Sequence, residues 1–347
     1  MRIGIEVNGK SLNRIFRILN DHARETVRVD NLLIELLAQN VSSSDYLFLV
    51  LSKLERKNYV KGKTGELTIV ERIPTGIMKE VKNEIVKELS KHKRLFVTPL
   101  EVAKFYQCPR RLYLEKVVMS KQFKRERGKV WDGEVVHLAT NMFISNIIKE
   151  PVEKLIVDIP KIVIEKYHEK TTLDEKPVGE FLRNLYQLIR NEGFKLLFTE
   201  KTLESLRNGL VGTPDIIARK SSGEYIPIDI KLGRFVKSRG VKKEHLLQNV
   251  GEAILVEDFF RTDVRVIYLI YFQTNTLVKI DLNESLKQEF LRYKRELERS
   301  VTRNVIPSKS KLPNAINRVC KGCHVRPACE NIELLRSLKL FSQQKIK

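Results

Sequence analysis

The sequence predicts an α/β protein in which a mixed sheet flanked by helices follows a smaller α+β unit. From residue 95 onwards, segments of strand length alternate with amphipathic segments of helix length, which is typical of such sheets. Before residue 74, three helical segments come first and a hairpin follows them, so this part reads as a separate unit. We therefore expect a first domain at residues 1–73, a helical connector at residues 74–94 and a large domain at residues 95–347.

The chain has far more basic than acidic side chains. Its 64 lysines and arginines exceed its 43 aspartates and glutamates, and the formal net charge is +21. This charge favours polyanionic partners, with nucleic acid as the leading expectation and an anionic membrane surface as the alternative. No apolar run approaches the ~18 residues of a spanning helix. The first residues, MRIGIEVNGKSLNR, lack the apolar core of a signal peptide, so we expect a cytoplasmic protein without a membrane segment.

The first domain has the element order of a winged helix-turn-helix. The runs SLNRIFRILNDHARE and VDNLLIELLAQ are amphipathic, and Ser44 is expected to cap a third helix that runs from Asp45 to about Lys57. A hairpin around Thr64-Gly65 follows. The third helix of such a unit often reads DNA in the major groove. Here it is largely apolar and its cations lie at its far end, so DNA contact and a docking or structural role both stay open.

The large domain begins near Leu95, and its elements alternate in type. A long helix is expected from about Asp132, then a β-rich stretch, then a helix through EKPVGEFLRNLYQLIRNEGFKLL. The remaining expected elements are a hairpin around residues 215–231, a helix over KEHLLQNVGEAILVEDFF, a second hairpin over VRVIYLIYFQTNTLVKIDL and a helix over ESLKQEFLRYKRELERSVTR.

The first hairpin contains two aspartates on apolar runs, in the segment GTPDIIARKSSGEYIPIDIKLGR, residues 212–234. Carboxylates in such strands are costly to bury unless a cation meets them. Side chains alternate faces along a strand, so Asp229 and Lys231 share the face opposite the isoleucines. The Ser-Ser-Gly-Glu turn folds this strand back on PDIIARK, which brings Asp215 within about one residue of the position opposite Asp229.

Two carboxylates at close range resist joint ionisation unless a cation lies between them, and Mg²⁺ or Mn²⁺ is the natural guest of an oxygen site. Metal-assisted phosphodiester hydrolysis needs this set, because a metal can bind a phosphate oxygen while Lys231 orients water or stabilises developing charge. The alternative is an ordinary salt-bridged hairpin. Basic runs at residues 116–129 and 231–243 favour the first reading, since beside acids they form a track for a nucleic-acid backbone.

With these residues in view, the hairpin resembles the core of the PD-(D/E)xK nucleases, and specifically their RecB-like branch. In that branch an upstream helix supplies a metal-binding histidine, and the segment GEVVH resembles this motif, with His137 as the ligand. A glutamine on the helix after the acidic strand resembles Gln248 in LLQNVGEAILVE. The family usually has a tyrosine four residues later, and this chain has Glu252 there.

The four cysteines also fit that branch. Cys108 lies in YQCPRRLYL, and Cys320, Cys323 and Cys329 lie in CKGCHVRPAC. Four thiolates can bind either zinc or a 4Fe–4S cluster, and His324 could substitute for one of them. The resemblance to RecB-like nucleases implies a 4Fe–4S cluster that joins the two ends of the nuclease core, an iron–sulfur staple with a structural role.

Size, motif order and the QCPRRLYL segment most resemble the CRISPR-associated exonuclease family of the Cas-four type, over about residues 95–332. The resemblance implies a restriction-endonuclease-like mixed sheet and a metal-dependent DNA exonuclease, with CRISPR adaptation proteins as partners. It would prefer single-stranded ends and trim DNA before spacer integration. The implied metal ligands are His137, Asp215, Asp229 and the Ile230 carbonyl, with Lys231 as the catalytic lysine and Gln248 supporting it or the substrate.

Two alternatives keep the same hairpin. One is a RecB-like repair or viral nuclease outside CRISPR, with the first domain guiding it to DNA or to a helicase. The other is a catalytically inactive DNA-binding protein on a nuclease fold. The set of His137, Asp215, Asp229 and Lys231 argues against the inactive protein, because a binding module has no need to bury those acids.

Overall fold

The structure is a computed structural model that describes residues 2–3, 9–63, 65–91, 95–116, 130–303, 306–307, 320 and 323–331. The amino-terminal elements are β1 (Arg2–Ile3), α1 (Gly9–Asp21), β2 (Thr26–Arg28), α2 (Val29–Ala38), α3 (Asp45–Arg56), β3 (Val60–Lys63), β4 (Glu66–Ile69) and α4 (Thr75–Leu89). Strands β2, β4 and β3 form an antiparallel sheet in that order. The three helices and the hairpin thus follow the order that the sequence predicts.

The larger part of the chain begins at β5. Its helices are α5 (Pro99–Gln107), α6 (Pro109–Lys116), α7 (Val130–Asn146), α8 (Val152–Lys166), α9 (Glu175–Asn191), α10 (Lys243–Phe260), α11 (Glu284–Thr302) and α12 (Arg326–Glu330). Its strands are β5 (Leu95–Phe96), β6 (Phe194–Thr199), β7 (Leu203–Ser205), β8 (Leu210–Gly212), β9 (Ile216–Lys220), β10 (Tyr225–Lys231), β11 (Val266–Tyr271) and β12 (Thr276–Asp281).

The main sheet is mixed, as predicted. Its five strands lie in the order β12-β11-β10-β9-β6, and only the β10–β11 pair is parallel. A parallel neighbour requires a crossover, and α10 provides it between the two strands. The carboxyl end of β10 and the helix that follows it are therefore held next to each other at the centre of the sheet.

Helices cover both faces of this sheet. The isoleucines at positions 226, 228 and 230 of β10 pack in one hydrophobic cluster with residues of α7, α8 and α9. Ile217 of β9 and Ile267 of β11 belong to the opposite cluster, with residues of α5, α10 and α11. The period-two alternation of β10 thus buries its apolar side chains on one face and directs Asp229 towards α10.

Close packing fixes the position of α10. At Gly251 a β-carbon would lie 2.5 Å from the ring of Phe290 on α11 and 2.8 Å from Pro99. Helix α5 is itself fixed at its start by Thr98, whose hydroxyl accepts from the Glu101 N–H while its own N–H donates to the Glu101 carboxylate. Since α10 bears several candidate site residues, this packing limits how far they can move.

Three local expectations are wrong. The β-rich stretch is helix α8, because its buried apolar residues Leu155, Ile156, Ile159 and Val163 follow helical rather than alternating spacing. The next helix ends at Asn191, and the following residues form edge strand β6 after Gly193, which has a φ of 65°.

The third correction concerns Ser44. It directly precedes α3 as predicted, but its hydroxyl donates to the carbonyl of Asp258 on α10 instead of capping the helix.

The amino-terminal segment, residues 9–91, shares its hydrophobic core with the larger part of the chain. One cluster of buried side chains runs from Leu12 through Leu54 and Phe96 to Leu297. Polar contacts add to this interface, since the carboxylate of Asp45 on α3 accepts from Leu206 N–H at 2.8 Å and pairs with the guanidinium of Arg261. The domain boundaries near residues 73 and 94 stay predictions.

Among the described residues, no helix is both long enough and apolar enough to cross a membrane.

Candidate active site

The β9–β10 hairpin brings the two predicted aspartates together. Ile216 lies opposite Ile228 in the antiparallel register, so Asp215 occupies the next position along, facing Asp229. Asp215 is held there by the N–H of Ile230, which donates to its Oδ2 at 2.7 Å. This is the convergence that the turn length predicts.

His137 of α7 lies next to Asp215 of the hairpin. Its Nδ1 lies 3.4 Å from Oδ1 of Asp215, and the two side chains are 35% and 18% exposed. Both are thus reachable from solvent at the edge of the site. Helix α7 is positioned in part by Asp132, whose carboxylate accepts from Thr171 and Thr172 at 2.7–2.8 Å.

Lys231, two residues after Asp229, lies between two acceptors. Its ammonium is 2.7 Å from Oδ2 of Asp229 and donates to Oε1 of Gln248 at 2.8 Å. The amide group of Gln248 in turn donates to Oδ1 of Asp229 at 3.2 Å and to Oε1 of Glu252 at 2.9 Å. One side chain of α10 therefore connects the strand carboxylate, the lysine and a second buried acid.

Burial and like charge set the titration of the acids. Burial, together with the charge of Asp229, raises the pKa of Asp215 to about 7. The same two causes, with burial the larger, raise the pKa of Glu252 well above its ordinary range. Although burial lowers the pKa of Lys231, the carboxylates of Asp229 and Glu252 outweigh it and the pKa is raised. The lysine therefore stays an ammonium at neutral pH, while Asp215 and Glu252 tend to keep their protons, and a bound cation would favour their ionised forms.

More of α10 faces this site than the sequence predicts. Glu252 was read only as a departure from a family pattern, and His245 was not singled out. Burial, followed by the charge of Lys231, lowers the pKa of His245 to about 4, and its Nδ1 lies 3.1 Å from the hydroxyl of Tyr271. The signal was available, because residues 245, 248 and 252 are spaced three and four apart and so share one helix face.

The donor chemistry of this site fits a divalent cation. An imidazole and two carboxylates are present, and Oε2 of Glu252 is a buried oxygen without a hydrogen-bond partner in the described part of the chain. Across those residues, no three His, Cys, Asp or Glu side chains stand at the spacing of a complete metal site. As the contacts stand, Asp229 is paired with Lys231 and Asp215 with His137 and Ile230.

The cysteines lie together at another place, where α6 meets α12. Burial raises the pKa of the Cys108 thiol, and the charges of Cys323, Cys329 and Cys320 act in the same direction. Among the described residues, no three cysteines stand at the spacing of a complete metal site. The carboxyl-terminal residues Val325 and Ala328 pack on Tyr113 and Leu114 of α6 in a small hydrophobic cluster. Soft thiolates in this number suit zinc or an iron–sulfur cluster by donor type.

Arg110 joins these two segments. Its guanidinium donates to Sγ of Cys329 at 3.1 Å, to the carbonyl of Cys329 at 3.2 Å and to that of Pro307 at 3.1 Å. His324 lies 3.1 Å from the carboxylate of Glu115, so this histidine already has a partner. These bonds of Arg110, called the Arg110 clamp, hold the segment around Cys329 against α6.

The loop between β10 and α10 supplies positive charge beside the acids. Arg234, Lys237, Arg239 and Lys242 are exposed, and none has an acidic partner within the described residues. Lys243, at the start of α10, is paired with Glu289. The other predicted basic run, residues 116–129, lies outside the described residues apart from Lys116, which pairs with Glu101.

Comparison with protein families matches residues 97–330 to the family described as the PD-(D/E)XK nuclease superfamily. No curated protein matches the chain. Among solved structures, the one titled "Crystal structure of SSO0001" is 16% identical, with 62% of this chain and 93% of that chain covered and a TM-score of 0.30. The family match includes every candidate residue of the acidic site and all four cysteines.

Proposed function

This chain belongs to the PD-(D/E)XK nuclease superfamily, and from that premise we propose that it is a metal-dependent DNA exonuclease that prefers single-stranded ends. The observation that supports this most is the hairpin register, which sets Asp215 beside Asp229 with Lys231 next to the pair. Burial and the charge of Asp229 raise the pKa of Asp215, a cost that an inert fold has no reason to keep.

We assign the metal ligands to His137, Asp215, Asp229 and the carbonyl of Ile230. A bound Mg²⁺ or Mn²⁺ would supply Lewis-acid stabilisation of the phosphodiester and a more acidic attacking water. The chain's own residues do the rest. Gln248 holds the Lys231 ammonium in place, and the raised pKa of that lysine makes it a donor to developing negative charge instead of a base.

The finer assignment follows from the cysteines. We assign Cys108, Cys320, Cys323 and Cys329 to a 4Fe–4S cluster that ties α6 to the carboxyl-terminal segment. This staple, together with the motif order, supports the CRISPR-associated exonuclease family of the Cas-four type, acting on DNA before spacer integration with CRISPR adaptation proteins. Iron and sulfide content after oxygen-free purification tests the cluster, and one bound zinc per chain would refute it.

The amino-terminal elements support a winged-helix-like unit, because three helices and the β2-β4-β3 sheet occur in the expected order. We assign this unit to residues 1–73, the connector to residues 74–94 and the nuclease domain to residues 95–347. The second candidate function is a RecB-like repair or viral nuclease, which the additional amino-terminal unit favours. Co-purification of a helicase instead of adaptation proteins would select it.

The test is cleavage of end-labelled single-stranded and double-stranded DNA with Mn²⁺, with Mg²⁺ and with chelator. We expect metal-dependent shortening from single-stranded ends that is lost in Asp229→Ala, with Asp174→Asn as an exposed control. The position of the label gives the polarity. A folded, cluster-loaded protein that binds DNA but does not cut it would replace this proposal with the inactive DNA-binding protein.

A further inference from the structure

A basic cleft lies on the amino-terminal segment, between α1 and α4. Its volume is about 570 Å³, and residues of both helices and of the turn before α4 line it. The charged residues that line it are Arg17, Arg72, Lys79, Lys82 and Asp21. Four cations therefore face a single acid, and three asparagine side chains share the cleft with them.

The charge of this cleft results from a separation of charges on α4. The acids of that helix at positions 80, 84 and 88 lie four residues apart on one stripe, and they pair with Lys53 and Lys57 of α3 at 2.7–3.7 Å. Lys79 and Lys82 lie on another face of the helix, towards α1. The acids of α4 are thus neutralised by the lysines of α3. The face of α4 that lines the cleft keeps its positive charge.

The cations of the cleft are not neutralised by neighbours. Arg17 donates to the amide oxygen of Gln39 at 2.6 Å and Lys82 donates to the amide of Asn13, so both bind neutral groups. Arg72 and Lys79 are exposed and form no ion pair or side-chain hydrogen bond within the described residues. A row of unpaired cations in a concave surface favours an extended anion.

In a winged-helix unit the third helix usually contacts DNA, but here α3 is not free to bind an extended anion. Helix α3 buries its apolar face, and Ser52, Glu55 and Arg56 are its only exposed residues in the described chain. Its start is fixed to the nuclease-like part through Asp45, while Lys53 and Lys57 are held by α4. Insertion of this helix into a major groove would require the core to open.

We propose that the cleft between α1 and α4 binds the sugar–phosphate backbone of a single-stranded nucleic acid. The inference rests on the proposed function. It names a second surface, outside the acidic site, that would hold the DNA substrate. Arg72, Lys79, Arg17 and Lys82 contact phosphates. Asn13 and Asn83 supply neutral hydrogen bonds to sugars or bases, while Asn20 is bonded to the backbone of Ile73. A membrane surface fits the cleft less well, because its apolar lining is small: Phe16 is 1% exposed and Met78 is half-buried.

The test is binding of a fluorescent 30-nucleotide deoxythymidine strand by the full chain, measured by anisotropy in chelator from 50 to 300 mM salt. Without divalent metal, DNA binding is measured independently of cleavage. The cleavage assay tests the proposed nuclease function separately, so the two proposals can fail independently. The variant is Arg72→Ala with Lys79→Ala. The control is Lys149→Ala with Lys195→Ala, which removes the same charge from exposed sites elsewhere.

Each phosphate contact to a single strand contributes about 0.7 to the slope of log K against log salt. We expect the cleft variant to lower that slope by about 1.4 and to weaken binding about 25-fold at 0.1 M salt. The control should change affinity less than threefold, and the exchange Arg72→Lys with Lys79→Arg should restore the slope. Equal effects of the cleft and control pairs would overturn the proposal. So would cleft-dependent binding to phosphatidylserine vesicles with DNA binding unchanged.

Discussion

Replacing Asp215 by asparagine should stabilise the metal-free protein while it abolishes cleavage. The pKa of Asp215 is raised from 3.8 to about 7 by burial and by Asp229, so the folded state resists ionisation of this carboxyl more than the unfolded chain does. Stability is therefore lost as pH rises from about 4 to 7, and the full penalty is present above pH 7. Asparagine does not titrate, and its amide oxygen can still accept from Ile230 N–H.

The gain in stability expected for Asp215→Asn follows from the pKa shift of Asp215. About three pH units at 1.36 kcal/mol each give an upper value of about 4 kcal/mol at pH 8.5. The stability gap between Asp215→Asn and the parent should narrow by about 2 kcal/mol between pH 7 and pH 5. Denaturant midpoints in chelator at pH 5, 7 and 8.5 measure it, with Asp174→Asn, an exposed residue before α9, as the control.

Bound metal should narrow the stability gap between the parent and Asp215→Asn. A cation that binds only the folded parent at 100 times its Kd stabilises it by about 2.7 kcal/mol, and the asparagine variant should gain much less. Two results would refute the reasoning. One is a parent and a variant with parallel pH profiles, which would mean that Asp215 is already neutralised by its neighbours. The other is an equal gain from Mn²⁺ in both proteins, which would mean that the metal binds elsewhere.

Three further predictions test neighbouring features. Glu252→Leu should lower kcat about tenfold or more, because the Gln248 amide loses its anchor, while Glu252→Gln restores an acceptor and most of the rate; steady-state kinetics on labelled DNA measures both. Arg110→Ala should lower stability by about 2–4 kcal/mol because three hydrogen bonds to the carboxyl-terminal segment are lost; an unchanged melting temperature would contradict this. Gly251→Ala should cost about 1–3 kcal/mol through its clash with Phe290, and a stabilised variant would show that helix propensity wins instead.

The hairpin could be predicted from sequence because its turn is short and its alternation is regular. Four residues between the strands leave little freedom of register, so the approach of Asp215 to Asp229 follows from counting. Helix α8 could not be predicted in the same way. It is rich in branched residues that favour strands, and only the spacing of its buried positions, four apart, indicates a helix.

Gln248 contacts Lys231, and its supporting role at the site stays a prediction. A glutamine at this position was expected to support the lysine, and the 2.8 Å contact to Lys231 places it where it can. The role of Glu252 was not foreseen, because a glutamate in a helix usually faces solvent and its burial depends on packing between α10, the sheet and α5. Likewise, the covering of α3 depends on contacts with residues more than 150 positions away, such as Leu206 and Arg261, which local patterns do not encode.

Both ends of the described chain meet the same short stretch near its first third. Strand β1 pairs with β5, and the Arg110 clamp of α6 holds the segment around Cys329. These contacts close loops of about 90 and 219 residues, and the larger one cannot form until the carboxyl-terminal residues leave the ribosome. During synthesis, Tyr113 and Leu114 of α6 therefore stay uncovered until Val325 and Ala328 arrive. A nascent chain stalled before residue 320 should depend on chaperones for solubility, while one released in full should not.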